Sequence, residues 1–225
     1  MKELSISRGI TGKNFVALTY DDGPTFPEAT LGIVNVLRSH GARATFFIRG
    51  CMAVVHPEIV TATHQAGMEI GNHTFNHHKL SLYVADTLES TKMIKDEIER
   101  THDIVNDLTG FSMRVFRAPW GGMNDFVKKT IDTHPALKPL NYKVVGWSAN
   151  TEDYLEGQDA DGIFRKVTGE TNLDGAVVLM HDGADRYYKV RAQPTVDATA
   201  KLVPELIDRG FTLVTVSEII HGLGE

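Results

Sequence analysis

Seven short apolar runs stand out along the chain: Phe15–Thr19, Ala44–Ile48, Met68–Gly71, Arg114–Phe116, Lys143–Trp147, Ala176–Met180 and Phe211–Val216. Their length and the turn residues that bound them predict buried strands. Most are followed by apolar positions at helical spacing. Leu31, Val34 and Leu37 space one such helix, with Pro27 near its start and Gly41 just past its end. The same helix, glycine, strand junction recurs in HQAGMEI and IDRGFTLVTV, so the connections are short and the strands are expected to run parallel. The polar-rich stretch Val84–Leu108 reads as one exposed helix. Repeated β/α units of this size predict an α/β fold, a single distorted (β/α)7-8 TIM-like barrel that is closed or nearly closed. An open doubly wound sheet is the alternative.

Length and composition fit that picture. At 225 residues, with no Ser/Gly linker and no low-complexity stretch, the chain is expected to form one domain over residues 1–225. A hydrophobic content of 42% against 23% charged residues is that of a globular protein rather than a disordered or fibrous one. No apolar run reaches the ~20 residues of a membrane span. The opening MKELSISRGITGKN has no apolar stretch of the signal-peptide kind. That leaves two expectations, a cytoplasmic protein or a processed form in the cell envelope or outside the cell. The single cysteine, Cys51, excludes an internal disulfide and a Cys-based zinc site. A formal net charge of −6, with no offsetting Lys/Arg run, disfavours nucleic acid as a partner.

If the barrel is right, chemistry belongs at the C-terminal ends of its strands, and reactive residues fall there repeatedly. Asp21 and Asp22 follow the first run, His73 and His77 the third, Arg117 and Trp120 the fourth, Asp153 the fifth and His181 the sixth. The H-x-x-x-H spacing of His73 and His77 brings both imidazoles to one side of a helical turn or tight loop. Two imidazoles and one carboxylate make a three-ligand site for a divalent ion with positions left open. His78 is available in place of either histidine, and ordinary surface or core histidines are the plain alternative. Adjacent strand residues point to opposite faces, so Asp21 and Asp22 are expected to do different work: one binds the cation, the other stays beside it as a base. A solvated Asp-Asp-Gly-Pro turn is the bland counterpart. Arg117 can pair with the free carboxylate or form a surface ion pair. His181 emerges from a buried strand at the rim.

Taken together the motifs resemble the polysaccharide deacetylases of the NodB-homology type, carbohydrate esterase family 4. TYDDGP resembles the family's first motif, usually Thr-Phe-Asp-Asp-Gly-Pro; HTFNH the second, His-Ser/Thr-x-x-His; RAPW the third, Arg-x-Pro-aromatic; WSANTEDY the fourth and LMH the fifth. They occur in the family's order between residues 18 and 182. The resemblance implies a distorted (β/α) barrel and assigns roles. Asp22, His73 and His77 match the metal ligands, Asp21 the base, His181 the acid, Arg117 the residue holding the base, and Asp153 the residue tuning the acid. The Trp120 N–H matches an oxyanion donor, with Tyr20, Trp120 and Tyr154 at the substrate. A divalent cofactor is implied, zinc first, with cobalt or nickel as alternatives. The fourth motif departs: Asn150 stands where Asp is usual, and Tyr154 where Trp is usual.

The implied activity is metal-dependent removal of acetyl groups from an oligo- or polysaccharide by a monomer. N-acetylglucosamine units of chitin oligosaccharides or peptidoglycan are the first expectation, and O-acetyl groups of acetylated xylan the alternative. Two further readings differ in class. A non-haem iron oxygenase shares the ligand set of two histidines and a carboxylate. An idle sugar-binding module would use Trp120, Tyr154, Tyr187 and Tyr188 as stacking platforms.

Overall fold

The computed structural model describes residues 5–25, 27–84, 86–183 and 192–223. Each apolar run becomes a strand of one parallel sheet, and each strand's outer face is covered by helices. The strands are β1 (Phe15–Asp21), β2 (Thr45–Ile48), β3 (Glu69–Asn72), β4 (Val115–Phe116), β5 (Lys143–Val144), β6 (Ala149–Asn150), β7 (Ala176–His181) and β8 (Thr212–Leu213). They follow the order β5-β4-β3-β2-β1-β7-β6, with β8 paired to the start of β1. The helices are α1 (Pro27–Ser39), α2 (Gly50–Val55), α3 (Pro57–Gln65), α4 (Leu88–Thr109), α5 (Asp125–Thr133), α6 (Ala160–Thr168), α7 (Gln193–Asp208) and α8 (Val216–His221). The expected junctions are present: Gly67 (φ 81°) and Gly210 (φ 85°) end α3 and α7 in the left-handed conformation that glycine adopts without penalty.

The sheet curls into a distorted barrel whose last gap is not bridged by a strand ladder. The fifth apolar run does not stay one strand. It forms β5, paired with β4, then crosses the gap as Val145–Ser148 and resumes as β6, paired with β7. The N-terminal segment fills the breach. Ile6 N–H donates to the Val144 carbonyl at 2.8 Å, Gly146 N–H to the Ile6 carbonyl at 2.9 Å, and Gly9 N–H to the Gly175 carbonyl at 2.8 Å. Period-2 patterning cannot distinguish a strand from a crossing whose backbone bonds are supplied by a remote segment.

Strand alternation divides the core in two. Outward residues such as Val16, Leu18, Tyr20, Phe46 and Ile70 pack under the helices. A smaller cluster, including Phe15, Ala17, Phe47, Val115, Val145, Val177 and Val214, fills the barrel interior. Phe47 tops that interior plug, and the Arg117 guanidinium lies 4.1 Å above its ring.

The expected exposed helix over 84–108 is corrected to α4, Leu88–Thr109, capped by Thr87 and by left-handed Gly110, with one face fully buried. Ile94, Ile98 and Val105 recur on that face at helical spacing and are inaccessible to solvent. The charged residues between them gave the segment its polar look. Truncating Ile98 to Ala should therefore cost about 2–5 kcal/mol in denaturant unfolding. Leu88→Ala, at a residue 87% exposed, should stay within about 0.5 kcal/mol. Comparable small losses at both positions would contradict the buried face.

Candidate active site

The inward parity of β1 presents Thr19 and Asp21 to the barrel mouth. Arg117, just past β4, enters from across the barrel and is 1% exposed. It donates to Asp21 Oδ1 at 2.7 Å, to Thr19 Oγ1 at 2.8 Å and to the Gly146 carbonyl at 2.8 Å. Burial pulls the guanidinium below its ordinary pKa, and the Asp21 carboxylate pulls the other way. The same parity corrects the expectation for Tyr20. It points outward, fully buried, with its ring 5.0 Å from Phe46 and its hydroxyl 3.0 Å from Thr199 Oγ1 on α7. Tyr20 is a core residue that does not reach the cleft.

Asp22 is turned by a left-handed backbone (φ 77°) toward the segment after β3. His77 Nε2 lies 3.0 Å from Asp22 Oδ1, and His73 Nε2 3.6 Å from the same atom and 3.8 Å from Asp21 Oδ2. His73 and His77 sit on a tight loop rather than a helical turn, with Thr74 (φ 65°) and His77 (φ 64°) both left-handed. His73 Nδ1 donates to the Arg117 carbonyl at 2.8 Å, which fixes the tautomer and leaves Nε2 with its lone pair aimed at the carboxylates. Burial drives the His73 pKa down to about 3, so the ring is neutral at physiological pH. One carboxylate oxygen and two imidazole nitrogens from Asp22, His73 and His77 lie within 4.8 Å of one another. Buried, with the His73 ring neutral, this donor set fits a divalent cation of the zinc type.

Across the cleft the last residue of β7, His181, is the register partner of Asp21 on β1. Its Nδ1 is 2.8 Å from Asp153 Oδ1, leaving Nε2 as the cleft-side nitrogen. Asp153 Oδ2 accepts from the His181 N–H at 2.7 Å and from Thr195 Oγ1 at 2.9 Å. Burial alone would lower the His181 pKa. The paired Asp153, joined by the fields of Asp21 and Asp22, overcomes it and raises the value to about 9. Tyr154 stands edge-on to the ring at 5.5 Å. The two departures in the fourth motif work together: Asn150 Oδ1 accepts from the Glu152 N–H at 3.0 Å while its Nδ2 donates to the Tyr154 hydroxyl at 3.4 Å. An Asp there could only accept.

Asp182, which the sequence reading passed over, is fully enclosed. It accepts from the Gly23 N–H at 3.1 Å and from Thr30 Oγ1 at 2.6 Å, and burial raises its pKa to about 7. The next residue, Gly183, sits so close that a Cβ there would lie 2.4 Å from the Asp22 carbonyl carbon. The loops after β1 and β7 thus interlock and set where Asp22 can point. Thr195 and Trp147 were also missed. Trp147 and Leu179 line the same cleft of about 190 Å³ as Trp120, Tyr154, His181 and the triad. Trp147 and Leu179 open the motifs WSANTEDY and LMH quoted above, but an apolar residue there carries no signal that separates cleft wall from core. Of the expected site residues, all but Tyr20 converge on this cleft or, for Arg117, on its floor. Tyr187 and Tyr188 lie outside the described residues.

The family model for polysaccharide deacetylase matches residues 8–138. A peptidoglycan-N-acetylglucosamine deacetylase of Bacillus cereus is 33% identical over 213 residues, covering 95% of this chain and 70% of that protein. PgdA of Listeria monocytogenes, also a peptidoglycan-N-acetylglucosamine deacetylase, is 31% identical over 204 residues; the match covers 91% of this chain but only 38% of the length of PgdA. The crystal structure of the Bc1960 peptidoglycan N-acetylglucosamine deacetylase, in complex with 4-naphthalen-1-yl-N-oxidanyl-benzamide, aligns with a TM-score of 0.83 at 32% identity, covering 97% of this chain and 94% of that chain.

The His181–Asp153 pair makes a prediction about stability. A histidine whose folded pKa (about 9) lies above its unfolded value of about 6.5 contributes stability that is complete below pH 6.5 and lost as pH rises through 9. Above about pH 8 His73 is neutral in both states, and Asp182, whose folded value is about 7, has largely finished titrating. Chelator-treated protein should therefore lose unfolding free energy between pH 8 and 9, by at most about 1.4 kcal/mol per pH unit for one proton. His181→Asn should flatten the profile. An unchanged slope in that variant would rule out the pairing as its source.

Proposed function

The chain belongs to the polysaccharide deacetylase family, and from that premise we propose that it hydrolyses the N-acetyl group of N-acetylglucosamine units in peptidoglycan or chitin oligosaccharides, as a monomer with one catalytic domain over residues 1–225. It is a carbohydrate deacetylase, a hydrolase acting on acetylated sugar; family membership displaces the oxygenase reading, and the full set of base, ligand and acid residues in one cleft argues against the idle sugar-binding one. The observation that carries the mechanism is one cleft with a guanidinium-held carboxylate, a carboxylate-and-two-imidazole triad, and an imidazole backed by a second buried carboxylate.

In this reading Asp22, His73 and His77 hold the divalent cation, zinc first, with cobalt or nickel as alternatives. When bound it supplies a Lewis acid for the acetyl carbonyl and acidifies a neighbouring water. Asp21 takes a proton from the attacking water. Its Oδ1 is committed to Arg117, so Oδ2 is the oxygen that receives the proton. The water oxygen bonds to the carbonyl carbon, and the Trp120 N–H is the proposed donor to the oxyanion. His181, protonated at neutral pH by virtue of Asp153, delivers the Nε2 proton to the sugar nitrogen as the C–N bond breaks. Acetate and a free amine result. Trp147 and Leu179 offer the apolar wall that an acetyl methyl group needs. Tyr154 and Trp120 offer faces to the sugar. Release of an O-acetyl group, as from acetylated xylan, would use the same residues. A protonated imidazole held by Asp153 is chiefly needed when an amine must leave, which favours the amide. Incubation with N-acetylglucosamine oligomers, peptidoglycan fragments and acetylated xylan, followed by mass spectrometry for loss of an acetyl group, tests the reading. No loss from any glycan in the presence of zinc would refute it.

The adjacent aspartates should fail differently. Asp21→Asn is expected to keep zinc while losing about 10²–10⁴-fold in turnover, whereas Asp22→Asn should lose zinc affinity first. Parallel loss of metal in both would show the roles wrongly divided. His181→Ala should cripple acetate release from N-acetylglucosamine oligomers yet spare an activated aryl acetate, whose leaving group needs no proton. Equal losses on the two substrates, at normal metal content, would reduce His181 to a positioning role.

A further inference from the structure

The loop that carries the two histidines departs from relaxed backbone geometry twice, at Thr74 and His77. Left-handed conformations at non-glycine residues are strained and persist only when the surroundings over-determine them. Most of the anchors come from the end of β3, the start of α2 and the loop itself. Asn72 Oδ1 accepts from the Thr74 N–H at 2.9 Å, Thr74 Oγ1 accepts from the His77 N–H at 3.2 Å, and the Gly50 and Cys51 N–H groups donate to the Thr74 and Phe75 carbonyls at 2.9 and 3.0 Å. None of these holds Asn76, the residue immediately before His77.

That position is held from α4. Glu97, 4% exposed, accepts the Asn76 backbone N–H on Oε2 at 2.7 Å and the Asn76 side-chain Nδ2 on Oε1 at 2.8 Å. One turn along the same helix, the Arg100 guanidinium lies 3.6 Å over the Phe75 ring. Resting on the assignment of His77 as a cation ligand, we propose that Glu97 is a positioning residue for the metal site. It clamps Asn76 by a two-pronged contact and so, together with the Thr74 hydroxyl that accepts the His77 N–H, fixes the aim of His77. Its carboxylate also lies 3.5 Å from His78 Nδ1. That contact keeps His78 turned to α4, away from the triad, so the spare histidine in the motif does not compete with His77. Glu97 touches neither the cleft nor the reacting atoms.

Zinc affinity, measured by competition with a chromophoric chelator alongside thermal unfolding, tests this. Glu97→Leu leaves two donors of Asn76 without acceptors and is expected to weaken zinc binding about tenfold or more, the range found for outer partners of metal ligands. Glu97→Gln should stay within a few-fold. Its Oε1 accepts the Asn76 N–H, and its Nε2 donates to Oδ1 once the Asn76 amide flips. Val105→Ala, on the buried face of α4 beyond the clamp, should lower the melting temperature and leave zinc affinity alone. Should Glu97→Leu not fold, Asn76→Ala at an exposed position removes one prong and should weaken zinc severalfold. Zinc binding by Glu97→Leu as tight as in the unmutated protein, or by Asn76→Ala where that is the usable variant, would overturn the proposal. So would an equal loss in Val105→Ala. Undiminished binding by His77→Ala would instead refute the triad itself.

Discussion

A guanidinium with 1% of its surface exposed is tolerable inside a barrel only when its charge and its donors are met there. Arg117 meets its charge with Asp21 and its terminal donors with Asp21, Thr19 and the Gly146 carbonyl, stacked on Phe47, while its Nε is left without a hydrogen-bond partner among the described residues. Breaking such a pair from one side typically costs about 3–5 kcal/mol because an unpaired charge is left behind. The same residue's carbonyl takes the His73 Nδ1 proton. A single residue therefore orients the base through its side chain and sets the tautomer of a ligand through its backbone. Beneath it the apolar plug around Phe47 and Val115 keeps the barrel interior closed and dry. Above it the cleft opens.

The two functions of the cleft come from two different mechanical arrangements. On the triad side, loops with left-handed residues wrap back over strand ends, and hydrogen bonds from neighbouring segments hold them. On the acid side, geometry comes from strand register: His181 lies level with Asp21 because β7 and β1 pair along their length. Asp182 and Gly183 join the two, one by accepting the Gly23 N–H and the other by leaving no space beside Asp22.

Much of this was legible in the sequence, because strand ends and turn residues are local signals. The apolar runs, the helix-ending glycines and the placement of Asp22, His73, His77, Arg117, Asp153 and His181 needed no tertiary information. What failed needed parity or partnership. Tyr20 lies between two residues of the site, and only the pleat reveals that it faces the other way. The break between β5 and β6 depends on Ile6 and Gly9, far off in sequence. Glu97, by its two bonds to Asn76, and Thr195, by its bond to Asp153, act from elements that read as ordinary amphipathic helices. Asp182 was hidden beside a more conspicuous histidine.

The strand β1, FVALTYD, is buried along its whole length, and its position in the sheet has a consequence for the order in which the chain can mature. As the chain is synthesised, β2 can cover one flank early, whereas the other must wait for β7 and the start for β8. Contacts so distant along the chain are slow to form. Until they do, an apolar edge with unpaired backbone groups stays open to other chains. The triad lies wholly on the early part and the acid pair on the late part, so an interrupted chain would expose a sticky edge while holding ligands without an acid. The adhesion hazard of this fold thus lies in its innermost strand, before that strand is enclosed.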